Sequence, residues 1–244
     1  MEKIRLYVEK ALLQGVSLEL SPRQSHYVCN VMRLKKNANI SFFNGRDGEW
    51  LGEIVDTSRK LAKATLKECT KQQQYEENLY LYCAMVKNAA LGNIIRQATE
   101  MGITCIQFIL TEHTVVKNVN LGRAKLQAIE AAEQCGRTSV PEILPPINFR
   151  DLPDSQDRSF ILCDETGQGK PPNEVLKNKK NIAIIVGPEG GFSHNELSFA
   201  DKFCQKLSLG KRTLRVDTAV VAALTLASAS TIHLYRVTDA TRDE

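Results

Sequence analysis

The pattern of apolar and polar positions changes character near residue 75 of this 244-residue chain. Before that point the apolar runs are short and alternate. Phe42-Phe43 and Trp50-Leu51 flank Asn44-Gly45-Arg46-Asp47-Gly48, two turn dipeptides between apolar ends, which predicts a hairpin. Residues 53–55 and 61–66 continue the strand character, with Ala62, Ala64 and Leu66 alternating against Lys63, Thr65 and Lys67. Only residues 21–34 carry helical spacing, with His26, Cys29 and Met32 along one side. Residues 71–77 are polar and Gln-rich without apolar periodicity, and a domain boundary is expected there, dividing the chain into 1–73 and 74–244.

From Asn78 onward strand and helix patterns alternate. Residues 79–86 read as a strand; Ile94, Ile95, Ala98 and Met101 line a helix stopped by Gly102; residues 103–110 form the next strand. Residues 121–135 predict an Ala-rich helix with Leu126 and Ile129 inward and Gly136 as its stop, and residues 160–164 a strand closed by Thr166-Gly167-Gln168-Gly169. Alternation of this kind implies an α/β domain whose parallel sheet is covered on both faces.

Residues 181–186 form a β-branched run that stops abruptly at Gly187-Pro188. Gly190 and Gly191 can take positive φ and admit a ligand close to the backbone. Ser193 and Glu196 have capping-box spacing, so a helix is expected from His194 with its free N–H groups toward the glycine loop, where a polar or anionic ligand is favoured. A last helix is expected from Thr218 to Leu234 behind Asp217 as N-cap; it is apolar nearly all round and must be buried on more than one side.

Charge sharpens this division. Residues 1–74 hold 13 Lys and Arg against 8 Asp and Glu, whereas the remainder holds 19 against 20. The positive excess belongs to the first domain, as either a solvated face or a phosphate-contacting one. The longest apolar tract, 219–232, is too short and too rich in Ser and Thr to span a bilayer, so a cytoplasmic protein is expected, without membrane contact. Seven cysteines and four histidines show no metal or redox spacing, and no metal is expected. Gly210-Lys211 is followed by Arg212 rather than Ser or Thr, and no G-x-G-x-x-G opens the first βα unit, which excludes a P-loop and a simple dinucleotide fingerprint.

Two C-terminal motifs, 187–193 (Gly-Pro-Glu-Gly-Gly-Phe-Ser) and 209–219 (Leu-Gly-Lys-Arg-Thr-Leu-Arg-Val-Asp-Thr-Ala), carry a resemblance. In that order and at that separation they resemble the 16S ribosomal RNA uridine-N3 methyltransferase family of the SPOUT superfamily. Val31-Met32-Arg33-Leu34, the 97–102 segment, Glu133-Gln134-Cys135-Gly136-Arg137 and Pro141-Glu142 extend the similarity over nearly the whole chain. The resemblance implies a PUA-like β-barrel that helps hold RNA, followed by a trefoil-knot α/β domain that binds S-adenosylmethionine and pairs with a second copy through the knot. A homodimer would give the all-apolar last helix its second partner.

In those terms the exits at 162–165, 187–191 and 209–214 would converge at the carboxyl edge of the sheet. The implied cofactor residues are Leu162, Glu165, Gly187, Pro188, Glu189, Gly190, Gly191, Leu209, Gly210, Arg212 and Leu214. Arg215 and Asp217 are the candidates for chemistry on the uracil: Arg215, with Arg212, to orient a phosphate or uracil carbonyl, and Asp217, also the helix cap, or alternatively Glu189, a loop brace, to accept the N3 proton; Arg5, Arg33, Lys35, Arg46, Lys87, Arg96 and Arg137 are the candidates for RNA contact. The sequence departs from the family at Asp217, where Glu is usual, at Ala90 and Gln97, where Lys is common, and at His113, where Arg is typical. The expected activity is methylation of one uridine of the small ribosomal subunit at N3. The competing readings are a ribosome-binding assembly module of the same fold without catalysis, and methylation of another RNA position.

Overall fold

A computed structural model describes residues 4–57, 61–74, 78–152 and 157–239. The chain divides into two compact units, the first of residues 1–75 with 132–140, the second of 76–131 with 141–244. Of the expected boundary at 71–77, residues 75–77 lie outside the described set.

The first unit is a five-stranded sheet built from β1 (Arg5–Tyr7), β2 (Ser17–Glu19), β3 (Asn39–Phe43), β4 (Glu49–Asp56) and β5 (Lys63–Lys71), in the order β1-β3-β4-β5-β2. The expected hairpin is β3 against β4, with Phe42 opposite Trp50 and Phe43 opposite Glu49. Ala62, Ala64 and Leu66 are buried, as their alternation requires, in a core with Leu6, Leu18, Ile40, Phe42 and Ile54. The helical stretch is a short α1 (Pro22–His26) that continues as a π-helical turn over Tyr27–Val31. Its inward residues are Ser25 and Val28, while His26 and Met32 are exposed. Ser25 is held there because its Oγ donates to Leu20 O at 3.2 Å and accepts from Ala62 N at 2.9 Å.

Arg5 organises this unit. Its Nε donates to Glu49 Oε2 at 2.9 Å, one terminal nitrogen donates to Ala132 O (2.7 Å) and Glu133 O (3.0 Å), and the other to Arg137 O. The guanidinium also lies 4.5 Å from the centre of the Phe43 ring. A planar fork of donors suits this cluster of acceptors, and Tyr7 N donating to Glu133 Oε1 at 2.9 Å adds to it. Both ion-pair side chains are nearly inaccessible, at 7% and 6% exposure. Arg137 is itself buried and donates to Ser139 Oγ. Arg5 and Arg137, expected on an RNA-facing surface, are therefore interior residues spent on protein acceptors.

The second unit holds six parallel strands, β6 (Leu79–Ala84), β7 (Cys105–Leu110), β8 (Glu142–Asn148), β9 (Ser159–Asp164), β10 (Ile182–Val186) and β11 (Gln205–Ser208), in the order β11-β9-β10-β6-β7-β8. Between them lie α2 (Asn88–Glu100), α3 (Leu121–Cys135), α4 (Pro172–Val175), α5 (His194–Ala200) and, last, α6 (Val216–Asp239). Every residue of β10 is buried, as a strand paired on both edges and covered on both faces must be. Ala183 and Ile185 of β10 join a cluster with Phe149, Phe160, Phe192, Phe199 and Phe203, while α6 packs on β10 and α2. Among the described residues no helix is long and apolar enough to cross a membrane.

Two helix expectations need correction. The inward residues of α3 are Ala124, Ala128, Ala131 and Ala132; Ile129 is half-buried, whereas Leu126 lies well round the helix from them and is 45% exposed. Helix α6 begins at Val216, with Ala219 N donating to Arg215 O, so Asp217 is a first-turn residue and not the cap. Its negative charge still favours that end of the helix dipole.

Because Arg5 and Glu49 are buried as a pair, Arg5→Ala would take a buried ionic partner from the carboxylate and a donor from three carbonyl oxygens. Urea unfolding should show a loss of about 3–5 kcal/mol; Arg5→Lys should recover only part of it, since a single ammonium does not reproduce the fork.

Candidate active site

Since all six strands are parallel, their carboxyl ends share one edge. The order also reverses between β6 and β9, with β10 inserted between them, the position at which open α/β sheets leave a crevice. A cavity of about 190 Å³ opens there, lined by residues 162–167 after β9, by 186–189 with Gly191 and Phe192 after β10, by Leu197, by 208–214 after β11, and by Val216 and Ala219 of α6. Of the eleven cofactor candidates all but Gly190 line it; Arg215 and Asp217 do not, although they flank the lining residue Val216. Of the RNA candidates other than Arg5 and Arg137, Arg33, Lys35, Arg46, Lys87 and Arg96 are exposed. Arg46 donates to Glu9 O and Arg96 is paired with Glu100 at 3.0 Å.

Each loop has its own anchor. After β9, Asp164 Oδ2 accepts from Gln168 N and Gly169 N, both at 2.8 Å, and Oδ1 accepts from Thr166 Oγ1 at 2.8 Å. An Asp that folds the following backbone in this way is turn chemistry that an Asp ahead of Thr166-Gly167-Gln168-Gly169 signals in the sequence, where Asp164 is expected only to end a strand. Gly169 is required by close approach, because a Cβ there would lie 2.6 Å from Ser208 N at the end of β11.

After β10, Ser193 and Glu196 form the expected capping box at the start of α5. Glu196 goes further: it is 2% exposed, its Oε2 accepts from Ser193 N at 2.9 Å and its Oε1 from Glu112 N at 2.8 Å, in the turn after β7. Gly191 has φ +66° and donates its N–H to Pro188 O at 2.9 Å. A Cβ at Gly191 would collide with Glu165 Oε1, so the Glu165 carboxylate lies directly over the glycine loop.

The lining is therefore apolar at its floor, with Leu162, Val186 and Phe192, and charged nearer solvent, where Glu165, Glu189, Lys211 and Arg212 are exposed. Such a site suits a ligand with one flat apolar part and both signs of charge. Cys163 also lines it, and burial pushes its thiol up to about 12; burial raises the neighbouring Cys83 thiol as well. Neither is a nucleophile at neutral pH, since the thiolate is the reactive form.

The fold and the cavity define a class before they define a protein. A family profile described as RNA methyltransferase domain matches residues 73–228, and a second, described as RNA methyltransferase PUA domain, matches residues 20–67. Ribosomal RNA small subunit methyltransferase E of Rickettsia conorii is 34% identical over 232 residues, covering 92% of this chain and 94% of that protein. The Synechocystis protein of the same name is 31% identical over 90% of this chain and 75% of its own. Among solved structures, the Neisseria gonorrhoeae ribosomal RNA small subunit methyltransferase E bound to S-adenosyl methionine superposes with a TM-score of 0.84 at 26% identity, over 93% of this chain and 98% of that one. A Legionella pneumophila protein in complex with the bound cofactor SAM gives 0.85 at 27% identity, over 94% and 98%. The chain belongs to the ribosomal RNA small subunit methyltransferase E family.

Two outcomes are expected of the site itself. Glu196→Ala, which orphans the N–H groups of Glu112 and Ser193, should lower stability by about 2–4 kcal/mol in urea unfolding. Iodoacetamide at pH 8 should modify exposed Cys135 while sparing Cys163 until the chain is denatured, as read by mass spectrometry.

Proposed function

We propose that this chain is an S-adenosylmethionine-dependent methyltransferase that modifies N3 of a specific uridine in 16S ribosomal RNA of the small ribosomal subunit, in the cytoplasm. The observation that carries the proposal is the convergence of the 162–167, 186–191 and 208–214 loops on one cavity in a chain of this family.

The residues present fit the cofactor. Leu162, Val186, Leu209 and Leu214 offer an apolar slot for a flat ring, backbone groups of 187–191 approach without side chains at the glycines, and Glu165, Glu189 and Arg212 supply charges of both signs for a zwitterion. When bound, S-adenosylmethionine supplies an electrophilic methyl group. The protein's contribution is alignment and the handling of one proton: uracil N3 must lose its hydrogen, and its lone pair must point along the line of the methyl bond. Asp217 in the first turn of α6 is the acceptor assigned to that proton, and Arg212 and Arg215 the donors that orient a uracil carbonyl or phosphate. The cavity lining includes Arg212 but neither Arg215 nor Asp217, which supports Arg212, beside Lys211, as nearer the cofactor than Arg215.

RNA contact is assigned to the exposed cations Arg33, Lys35 and Arg46 of the first unit and Lys87 and Arg96 of the second, without Arg5 and Arg137. The same reading includes a trefoil knot through the two C-terminal loops and a homodimer through α6, whose Val221, Ala222 and Leu226 stay partly accessible in the single chain.

Small subunits lacking the modification, incubated with the protein and methyl-labelled S-adenosylmethionine, should gain label at N3 of one uridine of the 16S RNA. Binding to the subunit without any label would favour the assembly-module reading, and label at another base position would move the target. Asp217→Asn should lower kcat about 100-fold or more while leaving cofactor affinity within about twofold.

A further inference from the structure

The turn after β7 reaches across to the glycine loop. Residues 111–114 are closed on themselves: Thr114 N donates to Thr111 O at 3.0 Å, Thr111 N donates to Thr114 Oγ1 at 2.9 Å, and both threonines are buried. That turn is fixed from outside by Glu112 N on Glu196 Oε1. It holds out His113, whose Nδ1 lies 2.9 Å from Gly190 O and 3.0 Å from Gly191 O. Both partners are carbonyl oxygens, which only accept, so Nδ1 carries the hydrogen and donates to the pair. The side chain is otherwise exposed. This one shared hydrogen bond reaches the two residues of the loop with the widest conformational freedom, one of which, Gly191, lines the cavity.

We propose that His113 is a positioning residue of the cofactor site: by holding the carbonyl groups of Gly190 and Gly191 it keeps the loop in its ligand-receiving shape before the ligand arrives. A Gly-Gly segment released from this bond samples many backbone states, and selecting one of them on binding lowers affinity without changing any contact to the ligand. The effect belongs to cofactor binding and not to folding, because the packed core beneath the loop does not involve the imidazole. The inference rests on the proposal that this cavity takes S-adenosylmethionine.

Titration calorimetry with S-adenosylmethionine on the full chain separates the two claims. If the unaltered protein does not bind, the cofactor reading itself fails. Given that it binds, His113→Phe, which keeps a ring but offers no donor, and His113→Ala should each bind about tenfold more weakly, the expected scale for one hydrogen bond shared between two carbonyl oxygens. Their melting temperatures should stay within about 2 °C of the parent. His113→Arg, whose fork can serve both carbonyls, should return affinity to within about threefold. Unchanged affinity in the Phe variant would overturn the inference, and so would a loss that tracks melting temperature and is not restored by Arg.

Discussion

The constraint on which the second unit depends is the complete burial of β10. All five of its residues pair with β6 on one edge and the first four with β9 on the other, and both faces are covered, so Ile182–Val186 can neither bend nor end gradually. The strand must release its chain at one place, and because every neighbour runs parallel, that place lies beside the exits of β9 and β11. The cavity is a consequence of this register: Leu162 pairs with Ile185 on one side and with Lys206 on the other, so the three loops start at nearly the same height. A shift of two residues in any of these strands would separate loops that have to act together.

Loops that start together still need shape, and each obtains it from a different source. Asp164 folds its own loop by accepting from backbone ahead of it, whereas the glycine loop is braced by buried Glu196 and by His113. The first unit follows another logic, in which one buried arginine gathers a carboxylate and three carbonyl oxygens. Breaking a hub of that kind is costly because it removes one buried donor fork from several acceptors at once.

Much of this was legible in the sequence where the signal is local. The β3–β4 hairpin followed from turn residues between apolar pairs, α2 and α5 from periodicity and a capping box, and the parallel sheet from the alternation of elements. Ten of the eleven residues assigned to the cofactor line the cavity, since loop positions after strands are read directly from where apolar runs stop. The failures share a cause, which is that a side chain's partner is set by tertiary structure. Arg5 and Arg137 carry charges that the sequence assigns to the surface, but Arg5 is turned inward by Glu49 and the carbonyls of Ala132, Glu133 and Arg137, and Arg137 is buried and donates to Ser139. Leu126 seemed inward by its hydrophobicity, yet the close packing of α3 selected alanines. His113 stands out in the sequence only as a position where Arg is typical, and the glycines it serves are 77 and 78 residues away. Family resemblance, rather than periodicity, supplied the ligand.

The central claim is that the three strand exits form a cofactor site, and a crystal of the protein soaked with S-adenosylmethionine tests it most directly. The account predicts the ligand in the cavity, its ring among Leu162, Leu209 and Leu214, against the backbone of 187–191, with those loops little changed from their arrangement in the free chain. A ligand bound elsewhere, or a cavity that stays empty at saturating concentration, would contradict it.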